Sequence, residues 1–153
     1  MSDMSTTSPD NPHFPGVRAP GLDAGITEAI IHDLVHAFYA KVRDDEMLGP
    51  IFAAEIDDWP PHLDKMCKFW SSVVLMTGVY KGRPMPVHAK LPGIGREHFT
   101  RWLQLFRQTA AEVCDEPAAS LFIDRAERIA QSLQLGIALH RQAVQHIEEE
   151  QAR

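Results

Sequence analysis

A segment near the middle of the chain reads Tyr80-Lys81-Gly82-Arg83-Pro84-Met85-Pro86-Val87-His88-Ala89-Lys90-Leu91. One glycine and two prolines interrupt it, and each proline removes a backbone N–H donor and restricts the residue before it. Apolar residues recur at intervals of three and four on both sides of the stretch, which predicts an amphipathic helix before it and another after it. The pattern therefore predicts a short segment between two helices, with His88 held at a restricted angle.

The two flanking helices each present one apolar, aromatic face. The first follows the acidic pair Asp57-Asp58, has prolines in its first turn and is expected to end near Gly78. Its inward face is predicted to carry Trp59, His62, Met66, Phe69, Trp70 and Val73. The helix after the stretch is predicted to turn inward Phe99, Trp102, Phe106, Thr109 and Val113. A histidine on an otherwise apolar face is the unusual member of these two sets.

Further outward, the same spacing predicts two more long helices. One begins near Thr27, a good N-cap, and ends around residues 43–45, with Tyr39 at the edge of its apolar stripe. A short helical turn is expected after Gly49-Pro50. The last helix is predicted from about Ala118 past Leu139. No strand-like alternation of useful length and no internal repeat are visible, so the sequence predicts an all-α domain with four main helices.

Length and composition predict one domain with polar ends. A chain of 153 residues is typical of a single domain. Residues 1–25 are rich in proline and polar residues and are expected to form a disordered tail, because they have too little apolar surface to offset chain entropy. Residues 26–142 are predicted to form the helical domain. Residues 143–153 are polar and acidic, and are expected to be exposed or frayed.

Charge and cysteine content exclude several classes of function. The net charge of −6 argues against nucleic acid as a partner, because a phosphate-binding face needs clustered lysine and arginine. No apolar run approaches the roughly 20 residues that cross a bilayer, and no apolar secretion signal is present at the N-terminus. Cys67 and Cys114 are too few and too far apart for a disulfide framework. A cytoplasmic protein with free thiols is expected.

Four side chains are candidates for chemistry, although each alone has an ordinary interpretation. His88 alone reads as a solvated loop histidine, and His62 alone as a core histidine with its hydrogen bonds satisfied. Tyr39 would usually bond a backbone carbonyl if buried, and Trp102 would usually be a core residue. His32 and His36 lie four apart without a third ligand at matching spacing. Nucleophile-elbow, phosphate-loop and dinucleotide motifs are absent from the sequence.

Taken together, several segments resemble the group III truncated haemoglobins over roughly residues 26–140. The resemblance includes the isolated positions Trp59, His62 and His88. The continuous matching segments are Phe38-Tyr39-Ala40-Lys41-Val42-Arg43, Leu48-Gly49-Pro50-Ile51-Phe52, Phe69-Trp70, Gly78-Val79-Tyr80-Lys81-Gly82-Arg83-Pro84 and Phe99-Thr100-Arg101-Trp102-Leu103. Any one of them is weak on its own, whereas the set in this order is specific.

This resemblance implies a two-over-two helical sandwich around a b-type haem. It implies that His88 is the proximal ligand of a five-coordinate iron. It also implies that Tyr39, His62 and Trp102 line the distal side, where dioxygen, nitric oxide or carbon monoxide binds. The other residues expected to contact the cofactor are Phe52, Met66, Phe69 and Phe99. The haem propionates need cations or water, for which Lys65, Arg83 and Lys90 are the candidates.

Three functions are compatible with these residues. The first is binding or transport of dioxygen or another diatomic gas. The second is a haem enzyme, either a nitric oxide dioxygenase or a peroxidase-like protein, with a separate reductase as a possible partner. The same distal donors serve both, because they stabilise a bound gas and polarise a peroxide. The third is a haem-free helical interaction domain, which leaves the polar residues on apolar faces without a purpose.

Overall fold

The computed structural model describes residues 18–84, 88, 91 and 93–152. Within this part of the chain every regular element is helical, as the sequence predicts. The helices are α1 (Pro20–Asp23), α2 (Glu28–Asp44), α3 (Gly49–Glu55), α4 (Trp59–Val74), α5 (Arg96–Val113) and α6 (Ala118–Gln151). None of these helices is long and apolar enough to cross a membrane.

The helix ends follow the local signals closely. Thr27 caps α2, and its Oγ1 accepts a hydrogen bond from the backbone N–H of Ile30 at 3.2 Å. Pro50 lies in the first turn of α3, where its missing N–H costs no helical hydrogen bond. One predicted end is too late: α4 stops at Val74 rather than near Gly78. The chain turns away through Met76 and Gly78, whose φ angles are 54° and 70°.

Aromatic rings hold the four long helices together. Helix α2 packs against α4 and α5, and α5 packs against α6, which gives the two-over-two arrangement. Phe38 of α2 meets Trp102 and Phe106 of α5 edge-on, with ring centroids 5.4 and 5.2 Å apart. Trp70 of α4 stacks on Phe106 at 5.1 Å. These contacts fix the spacing of the helices, because aromatic pairs favour edge-on and offset-stacked geometries.

A second, smaller group of buried residues lies between the start of α5 and the middle of α6. It consists of Ile94, Phe99, Ala130, Leu133 and Ile137. Leu91 packs against it from the segment that carries His88. This group therefore supports one wall of the functional site described below.

Both ends of the domain differ from the expected boundaries. The composition predicts a disordered tail through residue 25, but Pro20–Asp23 is helical, Ala19 is buried and Gly21 is buried against the end of α4. A Cβ atom at Gly21 would stand 2.5 Å from the carbonyl oxygen of Val74, so only glycine fits there. The expectation for residues 1–17 lies outside the described residues. At the other end, α6 continues without interruption past residue 142, and residues 143–152 are exposed but helical.

Asp45 connects three helices through one carboxylate. Its Oδ2 accepts hydrogen bonds from the backbone N–H groups of Leu48 and Met47 at 3.0 and 3.2 Å. Its Oδ1 accepts from the Arg101 guanidinium, with Nε and Nη2 both at 2.7 Å. Burial works to raise the pKa of Asp45, but the bonds from Arg101, Leu48 and Met47 outweigh it and hold the pKa below its usual value. The charged form therefore stabilises the junction of α2, α3 and α5.

We expect Asp45→Asn to lower the free energy of unfolding by about 1–2 kcal/mol at neutral pH, because the bond to Arg101 loses its charge. A carboxylate with a lowered folded-state pKa stabilises the fold above its unfolded pKa and loses that contribution as pH falls. The difference in the free energy of unfolding between the parent and the variant should therefore become smaller as the pH falls from about 5 to about 3. Urea unfolding across this range measures it.

Glu112→Gln is the matched control, because Glu112 accepts from Lys41 at 2.8 Å between α2 and α5 but is exposed. It should change stability much less than Asp45→Asn does. Equal losses in the two variants would contradict a special role for the buried carboxylate.

Candidate functional site

A single cavity gathers the candidate residues from every part of the fold. Its volume is about 280 Å³, and it lies between α2, α3 and α4 on one side and α5 and α6 on the other. Pro84, His88 and Leu91 border it from the segment between α4 and α5. The sequence-predicted residues that line it are Tyr39, Phe52, His62, Met66, Phe69, His88, Phe99 and Trp102. An apolar cavity with a few polar side chains is typical of a cofactor site.

His88 is oriented by a hydrogen bond to its own segment. Its Nδ1 lies 2.7 Å from the carbonyl oxygen of Pro84. A carbonyl only accepts, so Nδ1 carries the proton and donates it, which leaves the lone pair on Nε2. Metal-binding histidines use this arrangement, in which one nitrogen is anchored and the other is free to coordinate. His88 is half-buried and lines the cavity.

His62 brings an unpaired polar atom into the cavity from α4. Its Nε2 is buried and has no hydrogen-bond partner within the part of the chain that the structure describes. Burial, and secondarily the charge of Lys65, lowers the pKa of His62, so the imidazole is neutral at neutral pH. A buried polar group without a partner costs free energy, and native proteins keep few of them. The position of His62 is therefore explained if a polar ligand enters the cavity.

Tyr39 is held among aromatic rings with its hydroxyl unbonded. It is 6% exposed, and its ring meets Phe52, Trp59 and His62 with centroids 5.9, 5.8 and 5.5 Å away. Burial raises the pKa of Tyr39 well above its ordinary value, so the phenol stays neutral. The described residues offer its hydroxyl no acceptor, which leaves a fixed donor at the cavity wall.

Trp102 reaches the cavity from α5. Its indole stacks on Phe106 at 5.5 Å and meets Phe38 edge-on. These two buried rings fix the orientation of the indole. The indole N–H can only donate a hydrogen bond. Tyr39, His62 and Trp102 therefore arrive from three different helices at one cavity.

Some lining residues were not predicted. Tyr80 and His98 line the cavity, and α6 contributes Ile129, Ala130 and Leu133. The inward positions of Ile129 and Leu133 follow from the spacing of α6, but their closeness to His88 depends on how α6 crosses α5. Of the three cations proposed for a propionate, Lys65 and Arg83 line the cavity, and Lys90 lies outside the described residues.

The donor set around His88 suits a metal that brings its own ligands. Among the described residues, no group of three or more histidine, cysteine, aspartate or glutamate side chains could hold a metal ion. His32 and His36 stack on each other at 3.9 Å on the exposed surface, away from the cavity residues. One free histidine nitrogen in an apolar cavity fits a porphyrin iron, which needs only axial ligands from the protein.

Comparison with known proteins identifies the class. The model of the bacterial-like globin family matches residues 23–150, and the chain belongs to that family. The chain is 36% identical to the group 3 truncated haemoglobin of Campylobacter jejuni over 113 residues, which cover 71% of this chain and 89% of that protein. The predicted family, group III truncated haemoglobin, is confirmed. Membership implies a haem cofactor and small gas ligands.

Solved structures agree on the fold. The crystal structure of group III truncated haemoglobin from Campylobacter jejuni matches with a TM-score of 0.70 and 35% identity, covering 73% of this chain and 91% of that chain. The haemoglobin of Chloroflexus aurantiacus matches with a TM-score of 0.63 at 24% identity, over 76% and 98% of the two chains. The group II truncated haemoglobin of Bacillus anthracis matches with a TM-score of 0.63 at 23% identity, over 76% and 91%. The last two show the fold alone.

We expect His62→Leu to raise the free energy of unfolding of protein prepared without haem by about 1 kcal/mol, because an unpaired buried nitrogen is replaced by an apolar group. The variant should also lose the decrease in folding stability that His62 causes at mildly acidic pH. A histidine with a lowered folded-state pKa destabilises the fold as pH falls below about 6.5, because the unfolded chain takes up the proton first. Urea unfolding at neutral and mildly acidic pH measures both effects.

His140→Leu is the control, because His140 is exposed on α6. It should change stability by less than about 0.5 kcal/mol. A loss of stability in His62→Leu at neutral pH would show that the His62 ring is satisfied in the folded protein.

Proposed function

We propose that this protein binds a b-type haem through Nε2 of His88 and binds dioxygen or another diatomic gas beside Tyr39, His62 and Trp102. The observation that carries the proposal is the contrast between two histidines of one cavity. His88 has its Nδ1 anchored to Pro84 and its Nε2 free, whereas His62 has a buried Nε2 with no partner in the described chain. The first arrangement suits a metal ligand, and the second suits a polar group beside a bound gas.

The cavity walls supply the hydrophobic part of cofactor binding. Phe52, Met66, Phe69 and Phe99 come from three helices and present apolar surface to the cavity. Burying apolar area contributes roughly 25 cal/mol per Å². Lys65 and Arg83 line the same cavity with exposed side chains, so they can pair with carboxylates at its open side. When bound, the haem supplies an iron atom that accepts a diatomic ligand.

The polar side chains determine what the pocket does to a gas. Tyr39 is neutral and donates its hydroxyl proton, and Trp102 donates its indole N–H. His62 is neutral, so it accepts or donates according to its tautomer. Hydrogen bonds of this kind contribute about 0.5–1.5 kcal/mol each, and more to a charged acceptor. The surrounding rings of Phe52 and Trp59 exclude water, which would compete for these donors.

A second candidate function is haem enzymology on the same site, either nitric oxide dioxygenation or peroxide chemistry. The observation that favours it is the neutral, unpaired His62, because a group that can both take and give a proton is more than gas storage requires. Turnover would need a source of electrons, for which a separate reductase is a possible partner. We place the protein in the cytoplasm because Cys67 and Cys114 are free thiols, which a reducing compartment preserves.

Replacing His88 with alanine tests the axial assignment. We expect the variant to lose haem, or to retain it with an altered ferrous and carbon monoxide spectrum, because no other cavity histidine among the described residues has its Nδ1 bonded to a backbone carbonyl. Added imidazole should restore the parent Soret band. His140→Ala, on the exposed face of α6, should leave the spectrum unchanged. An unaltered spectrum in His88→Ala would overturn the assignment.

Replacing Tyr39 with phenylalanine tests the donor. Oxygen release should become about tenfold faster, since a hydrogen bond to a partly charged ligand is lost. Carbon monoxide release should change less, because that ligand carries less charge. Stopped-flow ligand displacement measures both rates.

Tyr80→Phe is the matched control, because Tyr80 is the other tyrosine of the chain and also lines the cavity. Its hydroxyl packs against Gly82, where a Cβ atom would stand 2.4 Å away. Oxygen release from this variant should equal that of the parent. A slower release in Tyr39→Phe would mean that Tyr39 steers another polar group instead.

A further inference from the structure

The cavity holds a third histidine, and its hydrogen bond differs in direction from that of His88. His98 lies in the first turn of α5 and lines the cavity together with Leu91, Ile94 and Phe99. The backbone N–H of Gly95 donates to Nδ1 of His98 at 2.9 Å. The backbone N–H of His98 in turn donates to the carbonyl oxygen of Gly95 at 3.1 Å. His98 thus caps the start of α5 with its own ring.

This cap decides which nitrogen of His98 carries the proton. A backbone N–H only donates, so Nδ1 must hold a lone pair, and the neutral ring carries its proton on Nε2. Oε1 of Glu97 lies 3.5 Å from Nδ1, beyond the length of a good hydrogen bond, and does not compete with Gly95. His88 has the opposite tautomer, because its Nδ1 donates to Pro84. At Nε2, His98 is therefore a hydrogen-bond donor, whereas His88 has the lone pair that a metal ligand needs.

Nε2–H of His98 is left for a ligand. The side chain of His98 is 17% exposed, and the hydrogen bond that its ring makes within the described chain is the one from Gly95 to Nδ1. His98 lies four residues, slightly more than one helical turn, before Trp102, which puts it about 6 Å nearer the start of α5. The other charged side chains of the cavity wall are Glu55, Lys65 and Arg83, all exposed. A haem offers two kinds of polar group here, the ligand on iron and its carboxylates, and a part-exposed donor suits a carboxylate.

We propose that Nε2–H of His98 donates a hydrogen bond to a carboxylate of the bound haem. This inference rests on the proposed haem binding and adds a fixed neutral donor to the flexible cations Lys65 and Arg83. The ring is held by the helix cap and needs little further ordering when the cofactor binds. The same cap withholds the Nε2 lone pair, so His98 does not compete with His88 for iron.

Three substitutions in the haem-loaded full-length protein separate the cap from the donor. His98→Gln keeps an acceptor for Gly95 N–H and an amide donor. His98→Glu keeps the acceptor but places a negative charge where the haem carboxylate is expected. His98→Leu removes both functions. Haem loss is measured by transfer of haemin to an excess of a haem-free globin, and the helix cap is monitored by circular dichroism and urea unfolding.

We expect His98→Gln to lose haemin within about threefold of the parent rate, and His98→Glu to lose it at least about tenfold faster with its helix content intact. His98→Leu should also lose haemin faster. Thr100→Glu is the charge control, because it adds the same charge at an exposed position of α5 and should leave the rate unchanged.

Retention of haemin by His98→Glu at the parent rate would overturn the inference and leave His98 as a cap only. Faster loss from Thr100→Glu equal to that from His98→Glu would also overturn it, because net charge would then explain the result. If the parent protein takes up no haemin and shows no Soret band, the proposed function itself fails, which is a separate outcome.

Discussion

The edge-on packing of Phe38 against Trp102 and Phe106 is the contact on which the site depends. It sets the distance between α2 and α5, and Trp70 extends it to α4 by stacking on Phe106. Two cavity residues are sequence neighbours of these packed rings: Tyr39 follows Phe38, and Phe69 precedes Trp70. A third cavity residue, Trp102, is itself one of the packed rings. Since adjacent residues on a helix point about 100° apart, an anchored ring turns its neighbour toward the cavity. The core thereby positions the side chains that meet a ligand.

The cavity combines apolar walls with polar groups that the protein does not satisfy. Nε2 of His62 is buried without a partner among the described residues, and Tyr39 brings a phenol hydroxyl to the same cavity wall. A buried polar atom without a partner lowers the stability of the protein without ligand. Proteins keep such costs mainly at functional sites, where a ligand completes the hydrogen bonds. Both groups are neutral at neutral pH: burial raises the pKa of Tyr39 further above its already high ordinary value and lowers the pKa of His62 below its usual value.

Hydrogen bonds to the ring nitrogens give similar histidines different chemistry. A carbonyl at Nδ1 makes His88 a base at Nε2, and a backbone N–H at Nδ1 makes His98 a donor there. Neither difference depends on the electrostatics of the whole protein. Each follows from the backbone group that happens to face the ring, which is set by the turn in which the residue sits. The local fold of two short segments thus assigns the roles of ligand and donor.

The helices, their inward faces and the family could all be predicted from the amino-acid sequence. These follow from interactions within a few residues, such as the Thr27 cap and the spacing of Phe99, Trp102 and Phe106. Part of the cavity wall could also be predicted, through the resemblance to the family, because each polar candidate alone had an ordinary interpretation. The place of Tyr80 and His98 in the wall, and the early packed start at Ala19, could not. Gly21 looked like part of a tail because its neighbour Val74 lies far along the chain.

Contacts between residues that are far apart in the sequence depend on how the helices pack. Asp45 and Arg101 meet across 56 positions, and no local pattern pairs that carboxylate with that guanidinium. The unpaired nitrogen of His62 is likewise invisible in the sequence, because an atom lacks a partner only relative to everything packed around it. Sequence determines periodicity and capping since those energies are local. Burial, tautomer and pKa depend on groups brought together by folding, and for that reason the structure alone supplied them.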